Sequence, residues 1–275
     1  MANLHFLQFP PSAERCKPSE NILFAFCAAG ANWGMPEKRR HRGPDPEDAQ
    51  LFTPQACGIM RQAAGDLCWL LNRGYALSSS VELVGNRYEL IRRQRIAVGR
   101  CVCSDAALIR RQQHEVMPAQ LKNEELWLDG YNVLNVLESA LAGGVILQGR
   151  DGCHRDMAGT HGGYHPVEET MPSLRLLGEA LAAWEVDSCF WLLDKPVSNS
   201  GRLKKLLLDT ATRMGWHWEV ELVFSPDKVL SETTHIASTS DSVILDRCSR
   251  WMNLARWIID SKIPGAHIVD LSRFD

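Results

Sequence analysis

From residue 126 onward the chain alternates short apolar runs with segments of helical period, and this alternation limits the fold more than any other feature. Residues 126–129, 145–148, 188–194, 216–223 and 236–239 read as strands, with a final short strand at 251–254. Residues 133–142, 170–184, 203–214, 242–250 and 255–261 read as helices. Strands separated by helices pair in parallel through right-handed crossovers. The pattern therefore predicts an α/β fold with a doubly wound, mainly parallel sheet over residues 123–275. In such a sheet the carboxyl ends of the strands share one edge, which is where ligands collect.

Three of the strands deliver an acid to that edge: Asp129, Asp194 and, just after Ser240, Asp241. Like charges a few ångströms apart repel one another, and burial makes this worse. A cluster of this kind holds a divalent cation, and hard oxygen ligands point to Mg²⁺ or Mn²⁺. Asp246, five residues past Asp241, is a second-tier metal ligand. In Asp129-Gly130-Tyr131-Asn132, Gly130 allows a sharp turn and Asn132 can cap the following helix. Ser240 and Ser242 flank Asp241 at a helix start, where backbone N–H groups favour phosphate. Ser198 adds a hydroxyl after Asp194. Asp156 enters from the glycine-rich stretch 149–165, which reads as irregular and mobile. A metal held there would lower the pKa of a bound water and steady charge on a phosphoryl oxygen. Asn132 and Ser240 would position the substrate or the water.

The front of the chain is different. Residues 44–122 read as a smaller helical domain, with helices at 54–71, 88–103 and 105–114, and with Gly85-Asn86 breaking the run before the second. On a 3.6-residue wheel, Arg92, Arg93, Arg95 and Arg100 share one face of the 88–103 helix. An arginine row can grip a phosphate backbone in fork geometry; a solvated helix face is the plainer reading. The net charge of −3 conceals a basic front and an acidic back, compatible with nucleic acid on one side and cations on the other. Residues 1–43 read as a mobile N-terminal extension, with Met35 as the natural start.

Nine cysteines at irregular spacing suit buried thiols in a reducing cytosol better than a disulfide framework. No apolar run is long enough to cross a bilayer, so no membrane partner is expected. Cys153, His154, His161 and His165 lack a standard zinc spacing, so zinc is the minor reading; His154 or His161 could touch phosphate instead. Trp127, Trp184, Trp191, Trp216 and Trp218 read as core residues.

Asp129-Gly130-Tyr131-Asn132, Asp194 at a strand end and Ser240-Asp241 before a helix resemble the PIN/NYN nuclease superfamily over about residues 125–262. The resemblance implies Mg²⁺- or Mn²⁺-dependent cleavage of phosphodiester bonds, in RNA ahead of DNA, with Asp129, Asp194 and Asp241 as catalytic metal ligands. The acid that such enzymes carry on an intervening helix has no clear counterpart, with Glu138, Glu168 and Glu179 as candidates. Arg42-Gly43-Pro44, Arg87-Tyr88 and Arg93-Gln94-Arg95, together with the Asp-Gly-Tyr-Asn run, resemble a prokaryotic family known as domain of unknown function four-three-four. A nucleic-acid-binding protein with a degenerate site and a Mg²⁺-dependent phosphatase are the alternatives. A homodimer is compatible with any of them.

Overall fold

A computed structural model describes residues 42–157 and 164–274. The expected extension at 1–43 lies outside the described residues but for Arg42 and Gly43, as do the Met35 start and His161. The described residues belong to one unit.

Four strands form an entirely parallel sheet in the order β5 (Trp218–Val223), β4 (Ser188–Asp194), β1 (Glu125–Asp129), β6 (Ile236–Ser238). The chain lays down β1, β4 and β5 in one direction, then returns to place β6 on the other side of β1. The winding reverses between β1 and β6, and crevices open at the carboxyl ends of strands on either side of such a reversal. Register follows the apolar pattern: Leu126 and Leu128 point into one core, and Trp127 packs with Phe190 on the opposite face. Each fully buried leucine contributes about 2 kcal/mol, and a one-residue slip would turn all of them outward.

The expectation of one sheet needs correction. β2 (Val145–Gln148) does not join β1; it pairs in parallel with β7 (His267–Asp270) and antiparallel with β3 (His154–Asp156), making a second, three-stranded sheet. The stretch expected to be irregular therefore contains a strand. Its Arg155 side chain is buried with Asp151 as counter-charge at 2.6 Å, and its His154 side chain with Asp260 at 2.9 Å.

Helices cover the sheets. α6 (Gly130–Leu141) and α8 (Ser200–Met214) pack on the four-stranded sheet, and α7 (Thr170–Ala183) and α11 (Leu254–Lys262) pack against α6 in the same core. α9 (Pro226–Glu232) and the one-turn α10 (Ser242–Leu245) cover the sheet's other face. The expected helix at 242–250 stops at Leu245, because the chain is then captured by backbone bonds: Ala237 N–H to Arg250 O, Met252 N–H to Ala237 O and Trp251 N–H to His114 O. Trp251 makes isolated bridges and belongs to no strand.

In the front region, α1 (Asp48–Leu51), α2 (Pro54–Leu71), α3 (Leu77–Arg87), α4 (Arg92–Cys101) and α5 (Asp105–His114) precede a short 3₁₀ turn at Pro118–Gln120. Thr53 and Ser104 cap α2 and α5 through their hydroxyls. The helix expected over 88–103 is shorter, because Glu89 adopts a left-handed φ of 52° and separates α3 from α4. Gly85 does not break α3. It admits the Arg95 side chain, whose atoms would lie 2.6–2.8 Å from a Cβ at that position. Met60, Leu67, Ala97 and Val98 share a core with Val145, Leu147 and Val269, so the front helices cover the second sheet.

Of the five tryptophans read as core, Trp191 and Trp218 are buried and Trp127, Trp184 and Trp216 are partly buried against the same clusters. No helix of the described residues is long and apolar enough to cross a membrane.

Candidate active site

The sequence run that ends β1 explains how the site is built. Gly130 opens α6 hard against β4: a Cβ there would lie 2.6 Å from Leu193 Cδ2 and 3.0 Å from Leu192 O. The glycine serves close packing and not, as expected, a sharp turn. Asn132 does not cap α6 either; Asp129 occupies that position without a side-chain capping bond. Instead Asn132 Oδ1 accepts from Ser240 N (2.8 Å) and Ser240 Oγ (2.9 Å), fastening α6 to the chain leaving β6. Pairing of Leu128 with Ser238 brings Thr239 beside Asp129. Thr239 Oγ1 donates to Asp129 Oδ2 (2.8 Å) and accepts from Asp241 N (3.0 Å). One hydroxyl thus spaces two of the acids. Asp241 Oδ1 caps α10 through Val243 N (2.7 Å).

Asp129, Asn132, Ser240 and Asp241 line a cavity of about 470 Å³ at the reversal between β1 and β6. It brings together Asp129, Asp194 and Asp241, and with them Asn132, Asp156, Ser240 and Ser242. Asp227, in the first turn of α9, joins them although the sequence reading passed over it. Ser225-Pro226-Asp227 is a helix-start signature, with Pro at the first helical position and an acid in the first turn, and could have revealed it. Tyr131 and Asn135 also line the cavity and were likewise passed over. Their signal is a polar stripe on a helix otherwise buried and apolar.

The electrostatics follow from the crowding. Burial, with repulsion from Asp227 and Asp241, outweighs the Thr239 hydroxyl and the Asn132 N–H, and pushes the Asp129 carboxyl up to about 7. The Asp227 carboxyl is raised by burial and by Asp241 and Asp194. Tyr131 is raised to about 12 by burial and the Asp194 charge, so its hydroxyl remains protonated. Among the described residues no three His, Cys, Asp or Glu side chains already stand at metal-holding spacing. The donor set is nonetheless all hard carboxylate oxygen, which suits Mg²⁺ or Mn²⁺. A cation would also relieve the repulsion that raises Asp129.

Beneath this wall lies a buried ion network. Arg111 pairs with Asp151 and with Asp246 (2.7 Å), and Arg155 pairs with Asp151 at 2.6 Å. Arg155 Nε also donates to Ser240 O (2.8 Å) and Arg111 to Ser242 O (3.4 Å), gripping the backbone on both sides of Asp241. Asp246 is thereby engaged by Arg111 and does not line the cavity.

The remaining expected residues are dispersed. Ser198 is exposed outside the cavity, and its carbonyl accepts from Tyr164 N. Arg92 is exposed. Arg93 forks onto Asp48 (2.6 and 2.9 Å), and Arg95 folds back onto Leu90 O (2.6 Å). Arg100 alone of that row reaches the cavity, donating to Asp156 O at 2.6 Å. Glu138 is buried under Arg42, Tyr164 and Thr170, while Glu168 and Glu179 are exposed. Cys153 and His154 are buried, His154 pairing with Asp260 at 2.9 Å, and His165 is exposed. The seven cysteines among the described residues are free and buried.

The comparisons with known proteins divide the chain in two. Residues 59–114 match the family model "Protein of unknown function (DUF434)", a narrower span than the motifs from Arg42 to Asn132 implied. Residues 118–257 match "Domain of unknown function (DUF5616)". The protein named "Uncharacterized protein MJ0935" of Methanocaldococcus jannaschii is 29% identical over 186 residues, covering 68% of this chain and 88% of that one. No solved structure matches the chain. By the model that spans half its length, the chain belongs to the family of the domain of unknown function DUF5616.

Proposed function

We propose that the protein is a metal-dependent nuclease that hydrolyses phosphodiester bonds, in RNA ahead of DNA, with a PIN-like α/β region as its catalytic part. One observation carries this reading. Three aspartates far apart in sequence, two ending parallel strands and the third three residues past another, line a single cavity where the winding of the sheet reverses.

Asp129, Asp194 and Asp241, with Asp227 beside them, would hold Mg²⁺ or Mn²⁺. When bound, the ion supplies Lewis acidity toward a phosphoryl oxygen and a water acidified enough to attack it. The chain's own groups do the rest. Asn132 and Ser240, locked together, orient what enters between α6 and β6. Thr239 holds the Asp129 carboxyl through one oxygen. Arg100 supplies positive charge at the rim, where a phosphate would enter.

Asp129→Asn tests the assignment. It keeps the shape and the Thr239 bond but removes the charge. Mn²⁺-dependent cleavage of an oligoribonucleotide is expected to fall about 10³-fold, with binding nearly intact. Cleavage at the wild-type rate would refute the reading, and faster turnover of small phosphate esters than of oligonucleotides would make the protein a phosphatase.

A further inference from the structure

Two residues of the cavity wall each carry a buried polar atom that the described residues leave without a partner. Tyr131 Oη and Asn135 Oδ1 have no hydrogen-bond partner among the described residues, although the two residues are only 8% and 6% exposed. An unpaired buried donor or acceptor is costly, and native folds rarely leave one without a reason. These two are neighbours. Positions four apart on a helix stand about 5–6 Å from each other on one face, and both side chains line the acid cavity. The requirements of the pair are specific. Asn135 Oδ1 can only accept. The Tyr131 hydroxyl carries a hydrogen that no acceptor among the described residues takes, so it is available to donate. A hydroxyl satisfies both together, giving its hydrogen to the amide oxygen and receiving one from the phenol. A phosphate oxygen satisfies only the tyrosine, and an apolar group satisfies neither.

We infer that Tyr131 and Asn135 read a sugar hydroxyl, and that they make the site specific for ribose over deoxyribose at the nucleotide next to the acids. This rests on the nuclease reading and names its substrate more closely. The 2′-hydroxyl, both donor and acceptor, is the group by which a protein tells RNA from DNA at one position.

The test compares three single-stranded oligonucleotides of one sequence in Mn²⁺: all-ribose, all-deoxyribose, and ribose with one deoxyribose moved along the strand. The full-length protein is expected to cleave the first at least about ten-fold faster than the second, because the deoxy strand leaves the pair unsatisfied. In the third, one position of the deoxyribose should reproduce the loss. Tyr131→Phe and Asn135→Leu should each shrink the ribose preference several-fold, by slowing the ribose strand and sparing the deoxyribose strand. Tyr131→Phe deletes a lone oxygen that has no partner, so its melting temperature without substrate should match or exceed wild type.

Equal loss on both strands, or a clear fall in melting temperature, would assign the tyrosine a purely structural role and overturn the inference. Cleavage with a ribose preference that neither variant alters would overturn it while leaving the nuclease reading in place. Failure to cleave either strand in Mg²⁺ or Mn²⁺ would end both.

Discussion

Asp129 and Asp151 are both aspartates with carboxylates held inside the fold, yet the protein treats them in opposite ways. Asp151 sits between Arg155 and Arg111, and their charges hold its carboxyl well below the usual range despite burial. Asp129 meets a threonine hydroxyl and two further aspartates, and its carboxyl rises to about 7. The first charge is balanced from within, and in balancing it the arginines grip the backbone around Asp241. The second is left unbalanced by everything in its wall except Arg100 and Arg155, which are engaged elsewhere. A chain that buries one carboxylate fully paired leaves the other without a counter-charge, which is the arrangement the proposed cation site calls for.

The contrast can be broken most forcefully at its neutralised side. Asp151→Asn would strand the buried Arg155 guanidinium and leave Arg111 with Asp246 alone, at a cost of about 3–5 kcal/mol, read as a lower midpoint in chemical denaturation. A loss under about 1 kcal/mol would show that the network contributes little.

At the other side the sign reverses. The folded Asp129 carboxyl has its pKa raised above the unfolded value, from 3.8 to about 7, so the folded state prefers the proton. Its contribution to stability is complete below the unfolded pKa and is lost as the pH rises through 7. Asp129→Asn should therefore stabilise the metal-free protein by roughly 2 kcal/mol at pH 8, an effect scaled down for partial exposure, and hardly at all at pH 4. A destabilised variant at pH 8 would contradict the account.

The smallest effect sharpens the same comparison. Mn²⁺ at ten times its dissociation constant should raise wild-type stability by about 1.4 kcal/mol, seen as a shift in melting temperature. It should leave Asp129→Asn nearly unmoved. Equal shifts in both proteins would place the ion elsewhere.

Much of this arrangement is written in the primary structure, for a physical reason. Period-two and period-3.6 hydrophobicity report which face of each element is buried, so β1, β4 and their following helices are readable, and Asp129 and Asp194 fall where strand ends must. What periodicity does not report is partnership across long separations. β2 has the same apolar run as a strand of the main sheet, yet it finds β7, more than a hundred residues later. Asp246 has the spacing of a weak ligand, and Arg111 takes it. Arg93 and Arg95 have the look of a basic face, and Asp48 and the Leu90 carbonyl claim them. Charges are the least legible residues, because a counter-ion can come from anywhere in the chain.

Arg100 and Gly99 of α4, with Leu77 of α3, form part of the cavity's rim, while the acids come from the far half of the sequence. The two stretches recognised by separate family models therefore enclose one space. A relative that kept the aspartates but exchanged its leading helices would preserve the acid cluster and alter the doorway, changing what can enter without touching a single acid.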